Sequence, residues 1–336
     1  MTDKILMEHG SGGIATSELI NEIFAATFKS DVLNQMEDSA VVPGSGTICM
    51  TTDSFVVTPE EFPGGDIGRL CICGTVNDLL MRGAIPKYIT CGFILKEGTD
   101  IELLKRVVKS LADTCDEAGV KVVAGDTKVI EGDEAGGILI NTAGVGFIPD
   151  GIDIKAANSV PGDAIIVSGN VGDHHATILS QRMSIENNIR SDNAPLCEIV
   201  EALRANNIEV HTLRDVTRGG LATVLKELAE ASNTVFEIES AKLPVSREVE
   251  DFARLLGLDP LYMGNEGKLV ATVAQKDAKR AVEIIRECKY GENATAIGIV
   301  KAASEDEAPG SLIALTSVGG KRLLGVLTGE GLPRIC

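Results

Sequence analysis

Residues 100–119, DIELLKRVVKSLADTCDEAG, read as one structure only, and that reading limits what this half of the chain can become. Apolar Ile101, Leu104, Val108, Leu111, Cys115 and Ala118 recur at spacings of three and four, the period of an amphipathic helix. Asp100 stands where an N-cap is wanted, and Gly119 stands where a left-handed residue ends a helix. Short apolar runs flank it: KYITCGFIL before, then VKVVAGDTKVI and GILINTAGVGFI after, all strand-like. Upstream, SAVVPGSGTICMTTDSFVV reads as two strands about a Pro-Gly-Ser-Gly turn, and DIGRLCICGTVNDLLMRGA as a helix capped by Asp66. The order is ββαβαβ plus one further strand, ending near residue 150.

A second unit opens with the strand PGDAIIVSG. Helices are expected around 174–183, 194–206 and 219–232 and in SREVEDFARLLG and DAKRAVEIIREC; strands in TVFEIE, KLVATVA, ATAIGIV and SLIALTSV. The expected organisation is therefore an α+β chain of two domains, 1–150 and 151–325, followed by a mobile tail, 326–336. That tail is rich in Gly and Pro and closes on GEGLPRIC, with a thiol at Cys336.

Charge narrows the function. With 31 basic and 49 acidic residues the net charge is −18, a field that repels nucleic acids and anionic membranes. Trp is absent and aromatics are 3%, too few for a base-stacking surface. No run approaches the roughly 20 apolar residues of a membrane span, and MTDKILMEHG lacks the apolar core of a signal peptide. The eight cysteines form neither a CxxC pair nor a disulfide framework, so a reducing cytoplasm is expected. Cys71 and Cys73 read as small core residues.

Several stretches carry candidate chemistry. Asp38, Asp53, Asp78 and Asp215 sit where loops meet regular elements. Were the first hairpin to turn about Ser45, Asp38 and Asp53 would face one another, as oxygen ligands of Mg²⁺ can. HGSGG offers the backbone N–H groups of Gly10, Ser11, Gly12 and Gly13 as an anion nest, or else is a flexible leader. It matches neither GxGxxG nor GxxxxGK[ST]. RDVTRGG gathers Asp215 as a cation ligand, Arg218 as a phosphate partner and a helix N-terminus within seven residues, 214–220. AGDTK, with Asp126 and Lys128, and GNEGK, with Glu266, read as Gly-bounded loops beside apolar strands. His174 and His175 are adjacent, so they cannot share a metal from one helix face and read as a first helical turn.

Together HGSGG, EDSAVV, TTDSFVV, NDLLMRGA, AGDTKV, RDVTRGGLA, NEGKLV and the closing PRIC resemble, along the whole chain, the HypE family of hydrogenase maturation factors. Its superfamily includes aminoimidazole ribotide synthetase and selenophosphate synthetase. The central motifs mark the superfamily, and PRIC marks the family; its usual Gly-Asp-His-Gly is here GDHH, with His175 in place of Gly. The resemblance implies a two-domain PurM-like fold whose N-terminal domain forms an intersubunit β-barrel in a homodimer, with ATP near that interface. Asp38, Asp78 and Asp215 match Mg²⁺-holding positions; Asp53 and Asn77 match nucleotide-site positions, where Asp126 and Arg218 are also expected. It further implies ATP-dependent dehydration of an S-carbamoyl group on Cys336 to a thiocyanate. A HypF-like carbamoyltransferase supplies the carbamoyl group, and the cyanide passes through a HypC–HypD complex to the iron of a [NiFe]-hydrogenase. Glu266 is then the expected base and Lys128 its helper.

Two other readings stand beside this one. A selenophosphate synthetase-like phosphotransferase would want a reactive Cys near the N-terminal Gly-rich stretch, where the chain has His9 and Ser11. A nucleotide-binding module presenting Cys336 as a ligand would want further His or Cys near it, which the sequence lacks.

Overall fold

The computed structural model describes residues 4–6, 9, 18–31, 42, 44, 46–131 and 137–326. It divides into two compact units, one comprising the chain up to Leu79 together with Ala84–Asp150, the other Leu80–Gly83 and the chain from Gly151.

In the first unit, strand β1 (Thr47–Phe55) is followed by the short strands β2 (Glu61–Phe62) and β3 (Gly65–Asp66) and helix α1 (Ile67–Leu80). Then come β4 (Ile85–Lys96), α2 (Ile101–Ala118), β5 (Lys121–Ile130) and β6 (Ile138–Ile148). One four-stranded sheet runs β1-β6-β4-β5, with β4 and β5 parallel and the other pairs antiparallel. The parallel pair follows from α2, since a helix between two strands carries the chain back to the starting edge. Both α2 caps form: the Asp100 side chain accepts from the Glu102 N–H at 2.9 Å, and Gly119 adopts φ 68°. Asp66 likewise accepts the Arg69 N–H at 2.9 Å at the start of α1.

α1 is buried on nearly every side, through Leu70, Cys71, Ile72, Cys73, Val76 and Leu79, as befits a helix apolar all round. Burial pushes the Cys71 thiol well up from its ordinary range, and the neighbouring Cys91 thiol adds to the shift. Edge strand β1 is the opposite case: Ile48 and Met50 are 57% and 70% exposed. The other strand of the expected first hairpin lies largely outside the described residues.

The second unit contains β7 (Ala164–Val167), α3 (Asp173–Met183), α4 (Cys197–Ala205), β8 (Val210–Asp215), α5 (Gly220–Ser232) and β9 (Val235–Glu239). It continues through α6 (Arg247–Leu256), β10 (Leu269–Val273), α7 (Ala278–Glu287), β11 (Thr295–Lys301), β12 (Leu312–Leu315) and β13 (Lys321–Leu324). Its seven-stranded sheet runs β13-β12-β9-β11-β7-β10-β8. α5 covers it with Leu221, Leu225 and Leu228 against Val167, Phe236, Val270 and Leu312. Strands β8 and β13 and a short helical segment, Ile20–Ala25 with Ala26–Phe28, were not anticipated from sequence.

One expectation is corrected. AGDTK, strand-like as part of VKVVAGDTKVI and loop-like by its Gly-Asp, is strand: residues 124–128 lie inside β5, where Asp126 pairs with Gly92 and Lys128 with Ile94 of β4. Gly125 is there for proximity rather than for a turn, because a Cβ at that position would meet the Cys91 carbonyl oxygen at 2.9 Å.

Candidate active site

The first unit builds its candidate residues where β1 meets α1. Thr51 and Asp53 alternate onto one face of the strand. The Thr51 hydroxyl donates to Asp78 Oδ2 at 2.7 Å and so ties strand to helix. One turn earlier on α1, a Cβ on Gly74 would lie 2.8 Å from the Phe55 ring and 3.9 Å from Asp53 Oδ2, so the helix approaches the strand here without a side chain between them. Asp53 and Asp78 therefore belong to one strand–helix seam, with Asn77 buried beside it. Asp53 Oδ1 accepts the Ser54 N–H at 2.7 Å, and the Asn141 amide donates to the Asp53 carbonyl at 2.9 Å. On β5, Lys128 Nζ pairs with Asp126 Oδ1 at 3.0 Å, both well exposed. His9 is buried and its Nδ1 accepts the Leu6 N–H at 2.9 Å. Gly10, Ser11, Gly12, Gly13, Asp38 and Cys336 lie outside the described residues.

In the second unit the motifs RDVTRGG and GNEGK, far apart in sequence, are zipped together. Asp215 closes β8 in register with Leu269 of β10. Beyond it the Val216 N–H donates to the Lys268 carbonyl at 2.8 Å, and the Asn265 N–H to the Val216 carbonyl at 3.1 Å. Gly219 and Gly220 take φ 81° and 67° to turn the chain into α5, with Arg218 exposed just before them. Asn265 is wholly buried: its Oδ1 accepts the Gly172 N–H at 2.8 Å and its amide donates to the Met263 carbonyl at 3.2 Å.

Glu266 is 4% exposed. Its N–H donates to Asp192 Oδ1 at 3.1 Å, and its carbonyl accepts the Ala194 N–H at 3.3 Å. Next to it, Lys268 Nζ donates to the Gly267 carbonyl at 3.1 Å and faces Asp192 Oδ2 at 3.6 Å. A small cleft of about 190 Å³ opens beside Asp173, Asp192, Lys268 and Tyr290. Burial and, secondarily, the Asp192 charge raise the Asp173 carboxyl to about 6, with Lys268 opposing. His174 and His175 sit in the first turn of α3, as expected. His174 Nδ1 meets the Ser191 hydroxyl at 2.7 Å. The His175 N–H donates to the Gly264 carbonyl at 3.2 Å, and burial lowers its imidazole to about 4, so it stays neutral at physiological pH.

The structure thus brings Asp53 and Asp78 together in one unit, and Asp215 and Glu266 to neighbouring strand ends in the other. Asp192 escaped the sequence reading, while Asp173, Asn265 and Lys268 stand inside the GDHH and GNEGK motifs without a role assigned to them. A charged Lys268 directly before the apolar run LVATV was the one available signal; Asp192, in a segment without periodicity, gave none. Among the described residues no three His, Cys, Asp or Glu side chains form a ready metal cluster. The acidic candidates are individually oxygen donors, the chemical type that Mg²⁺ takes. No helix among the described residues is long and apolar enough to cross a membrane.

Similarity to known proteins covers this whole arrangement. The AIR synthase related protein family matches twice, through its N-terminal domain over residues 36–148 and its C-terminal domain over 160–309. A carbamoyl dehydratase HypE of Cupriavidus necator is 45% identical, over 99% of this chain and 95% of its own. A hydrogenase maturation protein HypE crystallised in complex with ATP superposes with a TM-score of 0.95 at 44% identity, covering 98% of this chain and 99% of its own. HypE in a HypE–HypF complex superposes with a TM-score of 0.79 at 41% identity, covering 92% and 99%.

Proposed function

This chain belongs to the HypE family of AIR synthase related proteins, and on that premise we propose that it is an ATP-dependent carbamoyl dehydratase acting on its own Cys336. The observation that carries the reading is the near-complete match to a carbamoyl dehydratase, 45% identical over 99% of this chain. Its product, a thiocyanate, supplies the cyanide ligand of [NiFe]-hydrogenase iron. Its partners are a HypF-like carbamoyltransferase upstream and a HypC–HypD complex downstream, and its setting is the cytoplasm.

The carbamoyl oxygen on Cys336 attacks the γ-phosphorus of ATP, and ADP leaves. The nitrogen then loses both protons, one to Glu266 and one to the departing phosphate, as the C–O bond breaks and S–C≡N remains. An amide oxygen is a poor leaving group until phosphorylated, which is why ATP is consumed. Glu266 takes an N–H proton. Its fixed backbone and 4% exposure suit a base that works shielded from water. Lys128, paired with Asp126 on β5, offers positive charge toward the reacting group.

Asp53, Asn77, Asp126 and Arg218 hold the nucleotide, with the backbone N–H groups of Gly10, Ser11, Gly12 and Gly13. Asp38, Asp78 and Asp215 would hold Mg²⁺, which would supply neutralisation of phosphate charge during transfer. Residues 326–336 act as an arm that carries Cys336 between partners, and exposed Ile48 and Met50 on edge strand β1 meet a second copy to form the dimer.

Intact-mass analysis with ATP, Mg²⁺ and a carbamoyl donor tests the assignment. Cys336→Ala is expected to gain no carbamoyl-sized mass. Glu266→Gln is expected to load normally but to keep the carbamoyl group. A loaded Cys336→Ala protein, or normal cyanation by Glu266→Gln, would overturn the respective role.

A further inference from the structure

Of the groups outside the assigned roles, Asp192 is bound most closely to the site. Asp192 and Ala194 both touch residues 266–268: Asp192 Oδ1 takes the Glu266 N–H, the Ala194 N–H reaches the Glu266 carbonyl, and Asp192 Oδ2 faces Lys268 Nζ. A Cβ on Gly267 would come within 1.9 Å of the Asp192 carbonyl oxygen, so the two segments lie backbone against backbone. The Asp192 and Lys268 side chains are 4% and 9% exposed. At 3.6 Å their pairing is longer than a hydrogen bond, and Oδ2 accepts none among the described residues.

A buried pair so incompletely satisfied is poor value as a stabiliser, because desolvation offsets most of its attraction. What such a pair does well is fix geometry. Its two hydrogen bonds go to adjacent residues: Asp192 Oδ1 accepts the N–H of Glu266, the proposed base, and Lys268 Nζ donates to the Gly267 carbonyl.

We propose that Asp192 is a positioning residue for the dehydration step, bracing the Glu266 backbone through Oδ1 and Lys268 through Oδ2 so that the Glu266 carboxylate is held at the reacting nitrogen. The inference rests on Glu266 being the base. The neighbouring Asp173 carboxyl is raised to about 6, first by burial and then by the Asp192 charge.

The test uses full-length protein already carbamoylated on Cys336 and follows a single turnover with ATP and Mg²⁺ in wild type, Asp192→Asn, Glu266→Gln and the double variant. Asp192→Asn keeps the side-chain shape but loses the charge that holds both contacts. It is expected to slow dehydration at least tenfold, with carbamoyl loading and the KM for ATP unchanged. Because Asp192 acts through Glu266, the double variant should be no slower than Glu266→Gln alone. An additive double variant would assign Asp192 a merely structural part and overturn the inference. So would a normal rate in Asp192→Asn beside an inactive Glu266→Gln. A normal rate in Glu266→Gln would instead remove the base itself, a separate failure. If Asp192→Asn does not fold, Lys268→Met takes its place: it should slow dehydration and displace its pH profile, and an unchanged rate and profile would overturn the inference.

Discussion

Replacing Gly267 by Ala asks whether the position of Glu266, the proposed base, matters separately from its identity. The substitution adds one methyl group and changes no charge, and Gly267 lies outside the left-handed region of backbone space, so contact alone decides the outcome. The new Cβ would fall 1.9 Å from the Asp192 carbonyl oxygen and 2.8 Å from the Ala194 nitrogen, whereas ordinary contact begins at 3.4 Å. Relief requires a displacement of 3.4 − 1.9 = 1.5 Å, and both obstacles are backbone atoms that cannot rotate away. Overpacking of this kind costs about 1–3 kcal/mol. In a unit of this size that lowers the melting temperature on the order of 5 °C and leaves the fold intact. A misplacement of about 1 Å at a reacting group costs on the order of 100-fold in rate. The expected result is normal carbamoyl loading, normal ATP binding and single-turnover dehydration slowed about 100-fold, read by quenched-flow mass analysis. Dehydration within threefold of wild type would refute the claim that residues 192–194 fix the base.

The remaining predictions concern other parts of the two units. Asp173 has a folded-state carboxyl raised from 3.8 to about 6, so its ionisation opposes folding increasingly as pH rises through that window. Asp173→Asn should therefore stabilise the protein by about 3 kcal/mol above pH 7 and by little near pH 4, measured by urea unfolding; a gain larger at the acidic end would reverse the assignment. Asp215→Asn should weaken Mg²⁺-ATP binding at least tenfold in calorimetry while the melting temperature of the free protein stays within a few degrees; unchanged affinity removes Asp215 from the metal set. Met50→Lys, on the 70% exposed site of edge strand β1, should shift sedimentation from dimer toward monomer, and an unaltered dimer would place the interface elsewhere.

What was legible in the sequence was what local physics decides. The α2 stripe, its Asp100 cap and its Gly119 terminus needed only neighbours three or four residues away. Strand β8 was missed because VHTLRD is half polar and is made a strand by pairing with β10, which arrives more than fifty residues later in the chain. AGDTK looked like a turn because Gly-Asp favours one, but parallel pairing with β4 needed a glycine at position 125 for clearance. Asp192 had no local signature at all; its partner lies 74 residues away. The candidate acids and the candidate base are named from motif chemistry, whereas the residues packed around them belong to tertiary structure.

The register of Asp215 against Leu269 has a dynamic consequence. β10 is buried along its whole length between β7 and β8, so the ends of β8 and β10 cannot drift apart without breaking the ladder that joins them. Asp215 at the end of β8 and Glu266 just before β10, the proposed metal ligand and the proposed base, then keep one another's distance through every fluctuation short of sheet rupture. Amide protons at Val216, Asn265 and Glu266 should accordingly exchange as one cooperative set, on the timescale of global opening rather than of loop motion. Catalytic motion is then left to whatever travels to this frame, and the frame itself supplies a fixed address.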